Sequence, residues 1–311
     1  MKVLVLRKTE WPTLLLLACT YAVWALATTW LWEFSTPLAV VILGLAVAQH
    51  SSLQHEMLHG HPFRNSHLNH ALVFVPLGLL YPYLRFRDTH IAHHRDPLLT
   101  DPYDDPESNY LDPKVWAGLA RPLQILLRAN NTLLGRMVIG PVIGAMMFWA
   151  LDLRAILKGN RRIAISYLLH GIGLLMLASW WWVGIGKMSL GGYVLGAYLG
   201  ASLLKIRTYL EHRAHNDFAA RTAIVEDRGP LALLFLNNNL HVVHHMNPKV
   251  AWYDLPRLYR SQSTAFQQCN EGYVYRSYLE VFGKYFLKAK DPVPHPIYPV
   301  QKHQKRDLHN D

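Results

Sequence analysis

The chain has 311 residues, of which 51% are hydrophobic and only 17% charged, below the roughly 25% charged of an ordinary soluble domain. Its two cysteines, Cys19 and Cys269, exclude a disulfide framework and an iron–sulfur cluster held by the chain's own thiolates. The net charge of +10 lies beside long apolar blocks, which points to anionic lipid headgroups and an acidic protein partner rather than to nucleic acid.

Residues 1–10 carry Lys2, Arg7 and Lys8. The apolar run 13–32 follows, long enough to cross a bilayer, with Trp30 and Trp32 as an interfacial belt. It is too long for a signal peptide and has no clear small-residue cleavage site. The connection 33–36 has no Lys or Arg, and 37–53 runs back. The positive-inside rule then predicts a cytoplasmic N-terminus and brings His55 and His59 to the cytoplasmic surface. The segment 71–84 is apolar but short and broken by Pro76 and Pro82, the pattern of a half-inserted segment. The acidic, proline-rich stretch 96–113 is a predicted surface loop. In 114–136, Arg121, Arg128 and Arg136 interrupt leucines and isoleucines, which predicts helices lying in the interface.

The stretch 137–151 carries Pro141 and is predicted to be half-inserted; a full span there would invert everything after it. The runs 163–183, ending in Trp180, Trp181 and Trp182, and 190–206 complete four predicted spans. About a dozen Lys and Arg lie from Arg64 to Arg162, against one or none in each outer loop. The expected fold is all-α and integral to a membrane: four transmembrane helices, interfacial and re-entrant helices, and a cytoplasmic His-rich metal-binding cap. Residues 1–287 form one domain in this reading, and 288–311 a polar C-terminal tail, also cytoplasmic.

Histidine is the residue that carries chemistry. His55 and His59 lie in HEMLH, His90, His93 and His94 in HIAHH, His212 follows Glu211, and His241, His244 and His245 lie in HVVHH. On helices, the i, i+3 and i+4 positions share a face, so each cluster presents a comb of imidazoles, the commonest metal ligand. Nine are too many for one zinc and suit two metal ions. Iron, zinc, copper and nickel all accept such ligands.

These three motifs resemble the three histidine boxes of the integral-membrane fatty acid desaturase and hydroxylase superfamily, which includes acyl desaturases, alkane hydroxylases and carotenoid ketolases. Arg207-Thr208-Tyr209-Leu210-Glu211-His212 is similar to the additional histidine motif of the hydroxylase and ketolase branches. The resemblance covers about residues 40–260. It implies two iron ions on His55, His59, His90, His93, His94, His212, His241, His244 and His245, with O2 as co-substrate. The implied reaction is desaturation or hydroxylation of a lipid acyl chain at the cytoplasmic face of a bacterial inner membrane. Oxidation of an alkane or a carotenoid-type terpenoid is the alternative within the superfamily. Electrons would come from a separate ferredoxin, rubredoxin or cytochrome b5-like donor.

HEMLH is also the HExxH zinc-hydrolase signature, a reading that leaves both HxxHH motifs unexplained. A metal transporter would need ionisable groups along its spans, where only His170 stands out. The groups expected to support the ligands are Glu56, Glu211, Asn238, Asn239, His61 and His215, with Asp88, Asp96 and Asp254 as further candidates to orient imidazoles. His67 and His70 are expected at the surface or a cap, His50 and His170 as neutral partners of neighbouring helices, and His295, His303 and His309 in the tail.

Overall fold

The computed structural model describes residues 9–95 and 98–299. Lys2, Arg7, Lys8, Asp96, His303 and His309 lie outside the described residues. The helices are α1 (Trp11–Thr28), α2 (Trp30–Phe34), α3 (Thr36–Leu58), α4 (Ser66–Leu72), α5 (Tyr83–Arg95), α6 (Pro113–Gly118), α7 (Arg121–Asn130), α8 (Leu133–Val138), α9 (Gly140–Leu157), α10 (Arg161–Trp182), α11 (Leu190–Thr208), α12 (Pro230–Leu234), α13 (His241–Met246), α14 (Leu255–Ser261), α15 (Ser263–Cys269) and α16 (Tyr278–Tyr285). Two two-residue strands, β1 (Ile224–Val225) and β2 (Val274–Tyr275), pair in parallel.

Among the described residues, four runs are long and apolar enough to cross a membrane: Trp11–Phe34, Thr36–Leu58, Gly140–Leu157 and Arg161–Trp182. The fold is therefore all-α and membrane-integral in character. α1 and α2 form one run broken at Thr29, where the Thr28 and Thr29 hydroxyls donate back to the carbonyls of Trp24 and Ala25 and compete with the helix ladder. α9 is one helix of 18 residues, extending past the expected half-inserted stretch 137–151. α11 has 19 residues but carries Lys205 and Arg207 in its last turn and is not among the four. It packs along α3 through small residues. A Cβ on Gly200 would lie 2.6 Å from Val47 Cγ1 and 2.8 Å from the Gly44 carbonyl, and one on Gly196 would lie 2.6 Å from Leu43. This is the close approach by which helices associate where no hydrophobic effect drives them together.

Between α4 and α5 the chain is not helical, so its carbonyls need donors from elsewhere. Five side chains from surrounding helices supply them. Tyr21 donates to the Leu72 carbonyl (2.8 Å), Gln54 to Val73 (3.1 Å), Tyr193 to Leu77 (3.0 Å), His170 to Leu79 (2.9 Å) and Trp149 to Leu80 (2.8 Å). His50 stands 3.3 Å from the Tyr21 hydroxyl. His50 thus meets a neighbouring helix, α1, as expected, whereas His170 bonds the non-helical segment.

α7 leaves Leu123, Ile125 and Leu126 exposed, apolar side chains that an interfacial helix turns to lipid. The cap follows α11. Its core gathers Phe235, Tyr273, Tyr275, Tyr278 and Val281 on Tyr209 and Leu210. Residues 288–299, expected as the start of a tail, are built into this cap. Leu111 pairs with Pro294, Asn131 donates to the Asp291 carbonyl, and the buried His295 meets the Thr100 hydroxyl at 3.1 Å. Tail histidines are ordinarily solvated; His295 is buried because the backbone pairing with Leu111 carries it inside.

Candidate metal centre

The C-terminal end of α3 carries His55 and His59, the C-terminal turns of α5 carry His90, His93 and His94, and α13 carries His241, His244 and His245. His212 follows the end of α11. All nine imidazoles converge, in two sets. His55, His59, His90, His94 and His244 form one; His93, His212, His241 and His245 form the other. Within each set every residue offers a ligand atom within 4.8 Å of the others.

Helix geometry explains the division. At about 100° per residue, position i+4 lies about 40° to one side of i and i+3 about 60° to the other. Each HxxHH motif therefore sends its i, i+4 pair to one set and its i+3 imidazole to the other. In α5 the pair is His90 and His94 and the odd member His93. In α13 the pair is His241 and His245 and the odd member His244.

Facing nitrogens are close. His93 Nε2 lies 2.9 Å from His212 Nε2, which is 3.2 Å from His241 Nε2. His94 Nε2 lies 3.0 Å from His90 Nε2 and 3.1 Å from His244 Nε2. Adjacent ligands about 2.1 Å from one metal, at right angles, are about 3.0 Å apart. Acceptors behind the rings fix the tautomers. His93 Nδ1 faces Asp105 Oδ1 at 2.7 Å, His90 Nδ1 faces Glu107 Oε1 at 2.9 Å, and His241 Nδ1 faces Asn238 Oδ1 at 3.0 Å. With Nδ1 donating outward, each Nε2 lone pair points inward at another. His55 Nε2 and His59 Nε2 are buried without any partner. A cluster of inward lone pairs is repulsive by itself and is satisfied by cations, so the donor set fits two metal ions.

Burial, reinforced by neighbouring imidazoles, holds His212, His241, His244 and His245 well below the usual histidine range and lowers His94 to about 3. Neutral imidazole is the form that binds metal. His93 differs: burial opposes its charge, but Glu107 and Asp105 outweigh burial and raise it to about 9.

The supporting residues expected from the sequence divide. Asn238 orients His241, and Glu211 stands behind it, 3.7 Å from His241 Nδ1 and paired with Arg207 at 2.8 Å. Asn239 does not face the imidazoles; its amide donates to the carbonyls of Val225 and Asp227 and ties β1 to the third box. Glu56 points away from the ring set, accepting from the Trp252 backbone at 2.9 Å and facing His61. His61 in turn meets Glu10. His215 lies at the surface beside Asp217 and Glu271. For Glu56 adjacency in sequence misleads because the residue after a ligand on a helix points about 100° away from it; Asn239, His61 and His215 lie outside the helices that carry the boxes. Asp88 pairs with Arg87 and Arg162, Asp254 with Arg257, and His70 with the Tyr83 hydroxyl.

Two orienting groups, Asp105 and Glu107, come from the stretch expected to be a plain surface loop. Its density of carboxylates just after the second box was the available signal. Lys290 adds a clamp, donating to the His212 carbonyl at 2.7 Å.

A comparison with curated protein sequences gives no match. The sequence profile of the family described as fatty acid desaturase matches residues 30–278, a range that holds all nine histidines and every span candidate except part of the first. With that match over most of its length, and a box geometry that accounts for each motif, the chain belongs to the fatty acid desaturase family and is an oxidoreductase of that broad type.

Proposed function

We propose that the protein is an O2-dependent di-iron enzyme that desaturates or hydroxylates a lipid acyl chain at the cytoplasmic face of a membrane it crosses several times. The convergence of nine imidazoles into sets of five and four carries this reading. Two irons held there supply the activation of O2 and the removal of hydrogen from an unactivated C–H bond. The chain's own residues aim the imidazoles. Asp105, Glu107 and Asn238 hold Nδ1 protons, and burial excludes bulk water from most of the rings. Electrons come from a separate donor, a ferredoxin, rubredoxin or cytochrome b5-like protein.

In this reading the crossing elements are α1 with α2, α3, α10 and α11, and α9 lies along the interface despite its length. Both ends of α9 contact groups on the metal-bearing side. At its start Gly140 approaches Arg136 and Asn130. Near its end Asp152 takes Arg85 of α5 at 2.6 Å, and Arg162 just beyond pairs with Asp88 of α5. α11 instead begins beside Met188, which bonds the far end of α1 at Thr28, and ends at His212. This arrangement supports N- and C-termini on the cytoplasmic side.

The hydrolytic reading of HEMLH fares worse. Its glutamate would serve as base beside a metal-bound water, whereas Glu56 faces Trp252 and His61. The testing experiment combines iron determination with lipid mass spectrometry of cells with and without the protein. About two irons per chain and a product lighter by two mass units (desaturation) or heavier by sixteen (hydroxylation) are expected. One zinc per chain with no iron, and unchanged lipids, would overturn the proposal. Oxidised alkanes or terpenoids in place of acyl chains would move the substrate to the alternative branch.

A further inference from the structure

Behind the first histidine box, on the side away from the ring sets, three ionisable residues meet in the interior. Glu10 stands at the start of α1, Glu56 in the last turns of α3, and His61 just beyond α3. They are 3%, 5% and 0% exposed. Each offers a ligand atom within 4.8 Å of the other two. Contacts inside the group do not satisfy it. His61 Nδ1 meets Glu10 Oε1 at 2.8 Å, and Glu56 Oε1 accepts from the Trp252 backbone at 2.9 Å. Glu10 Oε2 and His61 Nε2 remain buried without a partner.

His61 Nε2 lies 3.9 Å from Glu56 Oε1. That is too long for a hydrogen bond. It is within the roughly 4.2 Å that two ligands of one metal can span at about 2.1 Å per bond. Charge points the same way. Among the described residues neither carboxylate is paired with a Lys or Arg; both appear only with His61. Two carboxyl groups are buried together there, and buried carboxylates are ordinarily either paired with a cation or bound to a metal.

We infer that Glu10, Glu56 and His61 form a third metal site, separate from the two histidine sets, for a divalent transition-metal ion of the zinc type. One imidazole nitrogen and carboxylate oxygens are a donor set zinc accepts; calcium would ask for oxygen alone. The site's role is structural. It joins the start of α1, the end of α3 and the loop of Trp252, whose indole also donates to Thr13 of α1 at 3.2 Å. In that position it braces the helix that carries His55 and His59.

The inference stands apart from the di-iron reading, and one set of measurements tests both. Purified full-length protein is stripped of metal, titrated with Zn2+ and assayed for metal per chain, as wild type, as Glu10→Gln and as His245→Ala. Three ions in wild type and two in Glu10→Gln are expected, with zinc anomalous scattering from zinc-soaked wild-type crystals giving a peak among the three residues. Equal stoichiometry in wild type and Glu10→Gln, with no such peak, overturns the third site and leaves a shared proton in its place. One ion in wild type, lost in Glu10→Gln and kept in His245→Ala, sustains the third site while sinking the di-metal centre. Should Glu10→Gln fail to fold, the anomalous peak in wild type decides alone.

Discussion

Asp105 Oδ1 lies 2.7 Å from His93 Nδ1, with both side chains buried. The other oxygen of the same carboxylate accepts from the Thr100 backbone at 2.8 Å, so the loop after the second box is folded around the group that aims His93. Groups that orient metal-bound imidazoles typically contribute about 10–100-fold in affinity or activity. Asp105→Ala is therefore expected to lose that much in metal retention against a chelator, and Asp105→Asn, which keeps one acceptor oxygen, distinctly less. Metal content after dialysis is the measurement. Unchanged retention in Asp105→Ala would remove His93 from the ligand set.

Asn238 offers a second check on the same principle. Its Oδ1 accepts from His241 Nδ1. Asn238→Leu abolishes that acceptor while keeping the branching of the side chain, and Asn238→Asp preserves it. The leucine variant should lose about 10-fold or more in activity and the aspartate variant should retain most of it. Equal loss in both would show that packing at this position, not the acceptor, matters.

Gly200 tests the seam between α11 and α3. Because an added methyl would meet Val47 Cγ1 at 2.6 Å and the Gly44 carbonyl at 2.8 Å, Gly200→Ala should cost about 1–3 kcal/mol through overpacking. Gly171 on α10 has open space around it, and Gly171→Ala should be neutral or stabilising by up to about 1 kcal/mol. Thermal unfolding of both variants in one detergent makes the comparison. Similar midpoints would mean the seam tolerates separation.

Tyr193 joins the non-helical segment to the bundle. Its hydroxyl donates to the Leu77 carbonyl at 3.0 Å and accepts from Trp24 Nε1 at 3.1 Å. Tyr193→Phe leaves both partners buried and unpaired, at a cost of about 1–3 kcal/mol. The loss should appear as a lower unfolding midpoint with activity intact at low temperature.

Metal removal should act locally. Without cations the inward Nε2 lone pairs of nine imidazoles face one another, so the cap should loosen while the helices pack as before. Hydrogen exchange after chelation is expected to rise in residues 83–95, 209–213 and 241–246 and to stay unchanged in the middle of α3. A uniform rise along the chain would point to global unfolding instead.

Local pattern was enough to find much of this protein. Apolar runs of membrane length and the spacings HxxxH and HxxHH are properties of neighbouring residues, and they located α1, α3, α10, α11 and all nine imidazoles, while α9 is longer than expected. The break between α4 and α5 was legible through Pro76 and Pro82. The sequence was less reliable where it offered adjacency as a guide. Glu56, Asn239, His61 and His215 stand within three residues of ligands in the chain and point elsewhere in space, because a few steps along a helix or turn swing a side chain away.

The sequence by itself therefore determined which imidazoles of each box lie together on a helix, since periodicity sets which side chains share a helix face. Only the tertiary structure decided how the nine divide into five and four, which carboxylates stand behind them, and that Glu10 meets Glu56 and His61. Those relations join residues 12, 119 and 51 positions apart. The physical reason is that such contacts depend on how helices cross and where loops return, and the short-range repeat of a sequence carries no record of either.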